Sequence, residues 1–271
     1  MMRYPADVRS LDACPQPNLI LSFDFDGTLH NPSGVPPVPL EFFSEIRRLR
    51  ETRSAVWGIN TGRSMPHVVE GFIESAFPFL PDWVVARERE IYLPNNFGRF
   101  VPHMDWNKRC EKDIHQLFKK SRKVLKKIRR EVEEHTDAQY IEMDGEPAGL
   151  ISRTEEEMEW IVDHIKPIMA EVPELGWQRN SIYLRFGHRN YQKGSTLTEV
   201  AHLYGLGAAQ TFAAGDSHND IEMLSVAHSA FATCPANAVG AIRDAVATRG
   251  GMVTRAAHGY GIVEALRAFF P

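Results

Sequence analysis

The sequence predicts an α/β protein, a doubly wound and mostly parallel sheet whose chain is interrupted by an inserted α+β block. Two observations carry this expectation. Short apolar runs that fit buried strands recur at 19–24, 55–60, 83–86, 211–215 and 229–232, and helical patterns separate most of them. Strand, helix and strand in succession imply right-handed crossovers and a parallel sheet covered on both faces. The region 88–188 then breaks this rhythm, with strand-like pieces at 98–101, 140–143, 149–152 and 181–186 among two long helical patterns. Strands at both ends of such a block predict a separate domain, so the expected division is a core of 1–87 and 189–271 with an insert of 88–188.

The elements follow in order. The run Leu19, Ile20, Leu21, Ser22, Phe23 is apolar enough for a central strand. Phe42, Phe43, Ile46 and Leu49 sit at helical spacing in 40–50, and further helical patterns are expected at 68–77 and 221–226. In the insert, the pattern at 108–134 carries Cys110, Ile114, Leu117, Phe118, Leu125, Ile128 and Val132 as one buried stripe. Its other faces hold Lys119, Lys120, Arg122, Lys123, Lys126, Lys127, Arg129 and Arg130. A solvated face accounts for these charges, with an anionic partner or lipid surface as the alternative.

Composition narrows the function classes. The 271 residues are 43% hydrophobic and 24% charged, as in a soluble globular protein, and a formal net charge of -4 gives no global case for nucleic acid or an anionic membrane. The three cysteines, Cys14, Cys110 and Cys234, are far apart with no C-x-x-C pair, which speaks against a disulfide framework or thiolate zinc site. With no signal-like apolar start and no run long enough to span a bilayer, a cytoplasmic location is expected.

Chemistry gathers at the expected strand ends. Asp24-Phe25-Asp26-Gly27-Thr28-Leu29 leaves the first strand and delivers two carboxylates together, with Gly27 allowing a sharp turn. Crowded like charges call for a cation, most simply Mg²⁺. Asn60-Thr61-Gly62-Arg63-Ser64 follows the second strand and offers a hydroxyl with backbone amides entering a helix, an anion site. Lys193-Gly194 supplies a point charge. Gly215-Asp216-Ser217-His218-Asn219-Asp220 adds oxygen donors for a hard cation after another strand. A carboxylate nucleophile, an acid/base, a divalent cation, a hydroxyl and an ammonium together suit phosphoryl transfer.

The order Asp24-x-Asp26-Gly27-Thr28, Thr61-Gly62-Arg63, Lys193-Gly194 and Gly215-Asp216-x-x-Asn219-Asp220 resembles the four motifs of haloacid dehalogenase-like (HAD) phosphohydrolases. The insert between the second and third motifs resembles the subgroup with a large αβ cap: Cof-type sugar phosphatases, sucrose-phosphate phosphatase and phosphomannomutase. Asn237-Ala238 and Gly259-Tyr260-Gly261-Ile262-Val263 are similar to the closing signature of Cof-type members. The resemblance implies a Rossmann-like core with an inserted α+β cap that governs specificity.

It also implies roles. Asp24 would attack phosphorus and bind Mg²⁺, and Asp26 would protonate the leaving oxygen, activate water and ligate the metal through its carbonyl. Thr61, the Gly62 amide and Lys193 would hold the phosphoryl oxygens. Asp216 would ligate the metal, with Asn219 and Asp220 completing the shell, and Thr28 would support the loop carrying Asp26. The expected activity is Mg²⁺-dependent hydrolysis of a small phosphomonoester, most simply a sugar phosphate, through an aspartyl-phosphate. A phosphomutase or phosphotransferase on the same scaffold, or a catalytically silent metabolite-binding protein, is the alternative.

The chain departs from the Cof-type Asn-Gly-Ala segment after the third strand, having Ala86-Arg87-Glu88-Arg89-Glu90-Ile91-Tyr92. Arg87 is read first as a surface ion pair with Glu88 or Glu90, and otherwise as a contact for an anionic substrate group. Arg63 and the loop residues His188, Arg189, Asn190 and Tyr191 are the remaining candidates for substrate contact, since polar donors with an aromatic face suit a sugar. His218 is expected beside the metal shell and His30 in a turn.

Overall fold

The computed structural model describes residues 16–143 and 146–271, so Cys14 lies outside the described residues. In chain order the elements are β1 (Leu19–Phe23), α1 (Leu40–Arg53), β2 (Ala55–Asn60), α2 (Met65–Glu74), β3 (Trp83–Ala86), β4 (Glu90–Pro94), β5 (Phe100–Pro102), α3 (Met104–His135), β6 (Gln139–Met143), β7 (Glu146–Ile151), α4 (Glu155–Met169), β8 (Leu175–Asn180), β9 (Tyr183–His188), α5 (Lys193–Leu203), β10 (Thr211–Ala214), β11 (Phe231–Cys234), α6 (Gly240–Thr248), β12 (Met252–Val253) and α7 (His258–Phe269). They form two compact units. One runs up to Asn107 and resumes at Lys193, and the other is Lys108–Gln192.

The first unit is built on an eight-stranded sheet in the order β12, β11, β10, β1, β2, β3, β4, β5. Every pairing from β12 to β3 is parallel, and β4 and β5 are added antiparallel. All residues of β1, β2, β3 and β10 are buried, which is why these strands read as continuous apolar runs. An aromatic cluster fills one layer: Phe23 meets Phe42 edge-on at 5.1 Å, Phe42 meets Trp57 at 5.5 Å and Phe43 meets Phe79 at 5.5 Å. Val68 and Phe72 of α2 and Ile262 and Leu266 of α7 belong to the same core. Asp82, fully buried, accepts from Arg50 of α1 at 2.9 Å and from the Trp57 amide at 2.9 Å, tying helix, strand and loop together.

The second unit holds an antiparallel sheet in the order β6, β7, β9, β8, with Ile114, Leu117 and Ile128 of α3 and Met158, Ile161 and Ile165 of α4 buried. Thr154 caps α4 by accepting from the Glu157 amide at 3.1 Å. The basic face of α3 is exposed, and Lys120 and Lys127 pair with Glu174 and Glu171 at 2.9 and 2.8 Å. Cys110 and Cys234 are buried and not joined in a disulfide, and no helix among the described residues is long and apolar enough to cross a membrane.

The architecture matches the expected α/β core with an α+β insert, but several local expectations differ. The segment from Glu90 to Pro102, assigned above to the insert, pairs through β4 with β3, so the first unit extends to Asn107 rather than 87, and it resumes at Lys193 rather than 189. The expected helix at 221–226 is a series of tight turns, with Leu224 donating to Asp220 and Ser225 to Glu222. The strand expected at 229–232 begins at Phe231, and β4, β8 and β12 are additional.

Candidate active site

Register places the chemistry. Phe23 at the end of β1 pairs with Ala214 of β10 on one side and with Ile59 of β2 on the other. The residues that follow these strands, Asp24, Thr61 and Asp216, therefore emerge side by side. The chain order runs outward from β1 in opposite directions, so β1 and β10 flank the switch point of the sheet, where open α/β sheets hold ligands.

Asp24 is buried, and its backbone amide continues the strand by donating to Ala214. One carboxylate oxygen each from Asp24, Asp216 and Asp220 lie within 4.8 Å of one another. Lys193, the first residue of α5, is fully buried, with Nζ 2.6 Å from both Asp24 Oδ1 and Asp220 Oδ1. Asp220 turns its other oxygen back to accept from the Asp216 and Ser217 amides at 2.9 Å, closing the loop on itself. Thr28 donates to Asp216 Oδ1 at 2.6 Å, so its hydroxyl braces Asp216. Gly27 has φ +79°, and a Cβ there would collide with the Asp216 carboxylate, so the turn needs glycine twice over.

Electrostatics follow from burial and crowding. Burial pushes the Asp24 carboxyl well up from its ordinary value; Lys193 opposes this, and repulsion from Asp220 and Asp216 adds to it. Asp216 is pushed up to about 6 by burial and by Asp220, against the pull of the Thr28 hydroxyl and Lys193. Burial alone would lower the Lys193 ammonium, but Asp220, Asp24 and Glu88 outweigh it and hold the charge above its usual range. The cluster is a set of hard oxygen donors with repulsion left over, and a divalent cation such as Mg²⁺ fits it. Asn219 adds to the fit: its Oδ1 is buried and has no hydrogen-bond partner among the described residues.

Asp26 stands apart from this cluster. Its carboxylate is exposed and is gripped by Arg63 Nε and Nη2 at 2.7 and 2.6 Å. His30 is buried in the turn, stacked on Phe25 at 5.0 Å, and burial lowers its pKa. Thr61 is buried and its hydroxyl accepts from the Arg63 amide at 3.2 Å, while Gly62 is exposed. Beyond them α2 opens with Ser64 as N-cap, no side-chain cap bond and no acid in its first turn, leaving its amides and dipole suited to an anion. Arg87 lies 3.7 Å from Glu90, the surface pair read first from the sequence.

The structure adds three residues that the motifs do not contain. Asn60 Nδ2 donates to the Lys193 carbonyl at 2.9 Å. Glu222 accepts from the Gly194 amide at 2.9 Å at the start of α5. Glu88, buried, accepts from Asn219 Nδ2 at 2.6 Å. Asn60 adjoins Thr61, and Glu222 lies in the segment Asn219-Asp220-Ile221-Glu222-Met223-Leu224 that is similar to the closing Cof-type signature, whereas Glu88 sits in a charged run that reads as surface.

In the second unit, Tyr191 is buried and its hydroxyl donates to Asp113 at 2.6 Å, which holds the loop to α3; burial first, then that bond, raises its pKa. The His188 ring lies 5.2 Å from that of Tyr191, and its Nδ1 accepts from the Asn190 amide at 3.1 Å. The Arg189 amide donates to the Glu174 carbonyl at 2.9 Å.

Residues 66–266 match the family described as haloacid dehalogenase-like hydrolase. No curated protein sequence matches significantly. Among solved structures, the sucrose-phosphatase of Synechocystis sp. PCC6803, in complex with sucrose and phosphate, superposes with a TM-score of 0.69 at 18% identity over 93% of this chain and 98% of that one. A haloacid dehalogenase-like hydrolase protein from Bacillus subtilis gives 0.65 at 17% identity over 93% and 92%. A sugar phosphatase of HAD subclass IIB gives 0.62 at 15% identity over 93% and 98%. At these identities the structures establish a shared fold. The family match covers most of the sequence and joins the motif order and the strand-end placement in one conclusion: this chain belongs to the haloacid dehalogenase-like hydrolases.

Proposed function

We propose that the protein is a Mg²⁺-dependent phosphatase that hydrolyses a small phosphomonoester, with a sugar phosphate as the favoured class, through an aspartyl-phosphate. The observation that carries this reading is the placement of Lys193 between Asp24 and Asp220, in a cluster of three carboxylates within 4.8 Å. Asp24, Asp216, Asp220 and Asn219 would hold the cation, together with the Asp26 carbonyl. When bound, Mg²⁺ supplies positive charge that offsets the crowded carboxylates and stabilises charge on the transferring phosphoryl group.

In this reading an Asp24 oxygen bonds to phosphorus as the bond to the leaving oxygen breaks, and Asp26 gives that oxygen its proton. Asp26 then takes a proton from water, which attacks phosphorus, releases phosphate and restores the Asp24 carboxylate. Lys193, the Thr61 hydroxyl and the Gly62 amide orient the phosphoryl oxygens. The second unit is proposed as the specificity cap, with His188, Arg189 and Asn190 as candidate contacts; the sugar assignment draws on the sucrose-phosphatase and sugar phosphatase among the structural relatives. Cys110 and Cys234, buried and far apart in the chain, suit a reducing cytoplasm.

The test is phosphate release from a panel of sugar phosphates and other small phosphomonoesters, with and without Mg²⁺, beside Asp24→Asn. Metal-dependent release that the variant loses is the expected result. No release from any member by folded wild-type protein would overturn the phosphatase reading in favour of a mutase, a transferase or a binding protein.

A further inference from the structure

Glu88 is out of place for a surface residue in a charged run. It follows Arg87, and the two have φ +65° and +50°, left-handed values that L side chains adopt at a cost. It is also buried. Its backbone amide donates to the Thr61 carbonyl at 2.8 Å, and its carbonyl accepts from the Thr196 hydroxyl of α5 at 3.1 Å. Its carboxylate accepts from Asn219 Nδ2 at 2.6 Å. A Cβ on Gly62 would lie 3.4 Å from the same carboxylate. One residue thus touches the loops after β2 and β10 and the start of α5.

The bond to Asn219 determines which way that amide faces. An ionised carboxylate only accepts, so Asn219 has to turn its NH₂ toward Glu88 and its oxygen away. That oxygen is the buried atom with no hydrogen-bond partner among the described residues. We propose that Glu88 is a positioning residue for the cation site, fixing the Asn219 amide by Nδ2 so that Oδ1 is presented as a ligand. The proposal rests on the metal reading above, and it deepens it by assigning a role to a residue outside the four motifs. Partners that orient metal ligands in this way commonly govern metal affinity. Arg87 and Glu88 are the central residues of the turn joining β3 to β4, closed by the Arg89 amide donating to the Ala86 carbonyl at 3.1 Å, and this left-handed turn carries the Glu88 side chain to Asn219.

The experiment is Mg²⁺ titration by calorimetry on protein stripped with EDTA, for wild type, Glu88→Gly and Glu88→Gln, with a thermal melt of each in EDTA. Glycine suits the positive φ and keeps both backbone bonds, which offsets part of the lost Asn219 bond, so Glu88→Gly is expected to stay folded and melt within a few degrees of wild type yet bind Mg²⁺ about tenfold more weakly. Glu88→Gln keeps the volume but can meet Asn219 with either its oxygen or its NH₂, so it no longer dictates which way that amide faces and is expected to bind Mg²⁺ more weakly than wild type but no more weakly than the glycine variant. Wild-type affinity in the glycine variant would overturn the assignment. So would a glutamine variant that binds Mg²⁺ as tightly as wild type, because an acceptor-only partner would then not be what orients Asn219. Absence of Mg²⁺ binding by the wild type would overturn the metal reading itself, and this role with it.

Discussion

Arg63 and Asp26 form a two-bond fork, Nε to Oδ2 at 2.7 Å and Nη2 to Oδ1 at 2.6 Å, while the same guanidinium lies 4.8 Å over the Phe25 ring. A carboxylate offers about four lone-pair positions, and the fork takes two, leaving room for a proton. The fork fixes the rotamer of the proposed acid/base. Arg63→Lys keeps the charge and loses the fork, so kcat is expected to fall about tenfold, or ~1.4 kcal/mol. Steady-state kinetics on a phosphomonoester checks this, and an unchanged kcat would show that Asp26 needs no such hold.

Lys193 is the cation that two buried carboxylates share. Lys193→Met retains most of its volume but leaves Asp24 and Asp220 facing each other uncompensated. Urea unfolding in EDTA at pH 7 is expected to show a loss of about 3–5 kcal/mol, together with loss of phosphate release. Stability equal to wild type would mean that Lys193 contributes nothing to holding the cluster together.

Gly27 combines φ +79° with direct approach to Asp216. Gly27→Ala is expected to destabilise by about 1–3 kcal/mol and to abolish turnover, because the displaced carboxylate belongs to the cluster. A variant with normal Tm and normal turnover would show that the turn relaxes freely.

Glu45 joins α1 to α7 by accepting from Arg48 and Arg267, both at 2.8 Å. Burial alone would raise its pKa, but the bonds from Arg267 and Arg48 outweigh that and hold it below the ordinary 4.5. A depressed carboxyl stabilises the fold above its unfolded pKa and loses that contribution as pH falls through the folded one. Glu45→Gln should therefore cost about 1 kcal/mol at pH 7. The difference should shrink steadily below pH 4.5. Denaturant melts across pH would show it, and a gap independent of pH would rule out the ionic origin.

The parts legible in the sequence were those whose chemistry and environment agree. Asp24, Thr61 and Asp216 leave strands that are wholly buried, so an apolar run followed by a polar group marked each one. Glu88 was illegible for the opposite reason: its charged neighbours read as surface ion pairs, and a non-glycine left-handed turn has no signature in sequence. The segment 221–226 has apolar spacing that suits a helix, yet Met223 is drawn to Asn60 and Glu222 to the start of α5, and these contacts win over local preference. β8 was missed because Gln178, Arg179 and Asn180 interrupt its apolar pattern.

The pairing of Phe23 with Ala214 and Ile59 sets more than a position. The ladders at the centre of the sheet set the spacing at which the loops after β1, β2 and β10 begin. Loops can still be disturbed one at a time, as at Gly27, but parting of β1 from β10 would disperse Asp24 and Asp216 together with the sheet that carries them.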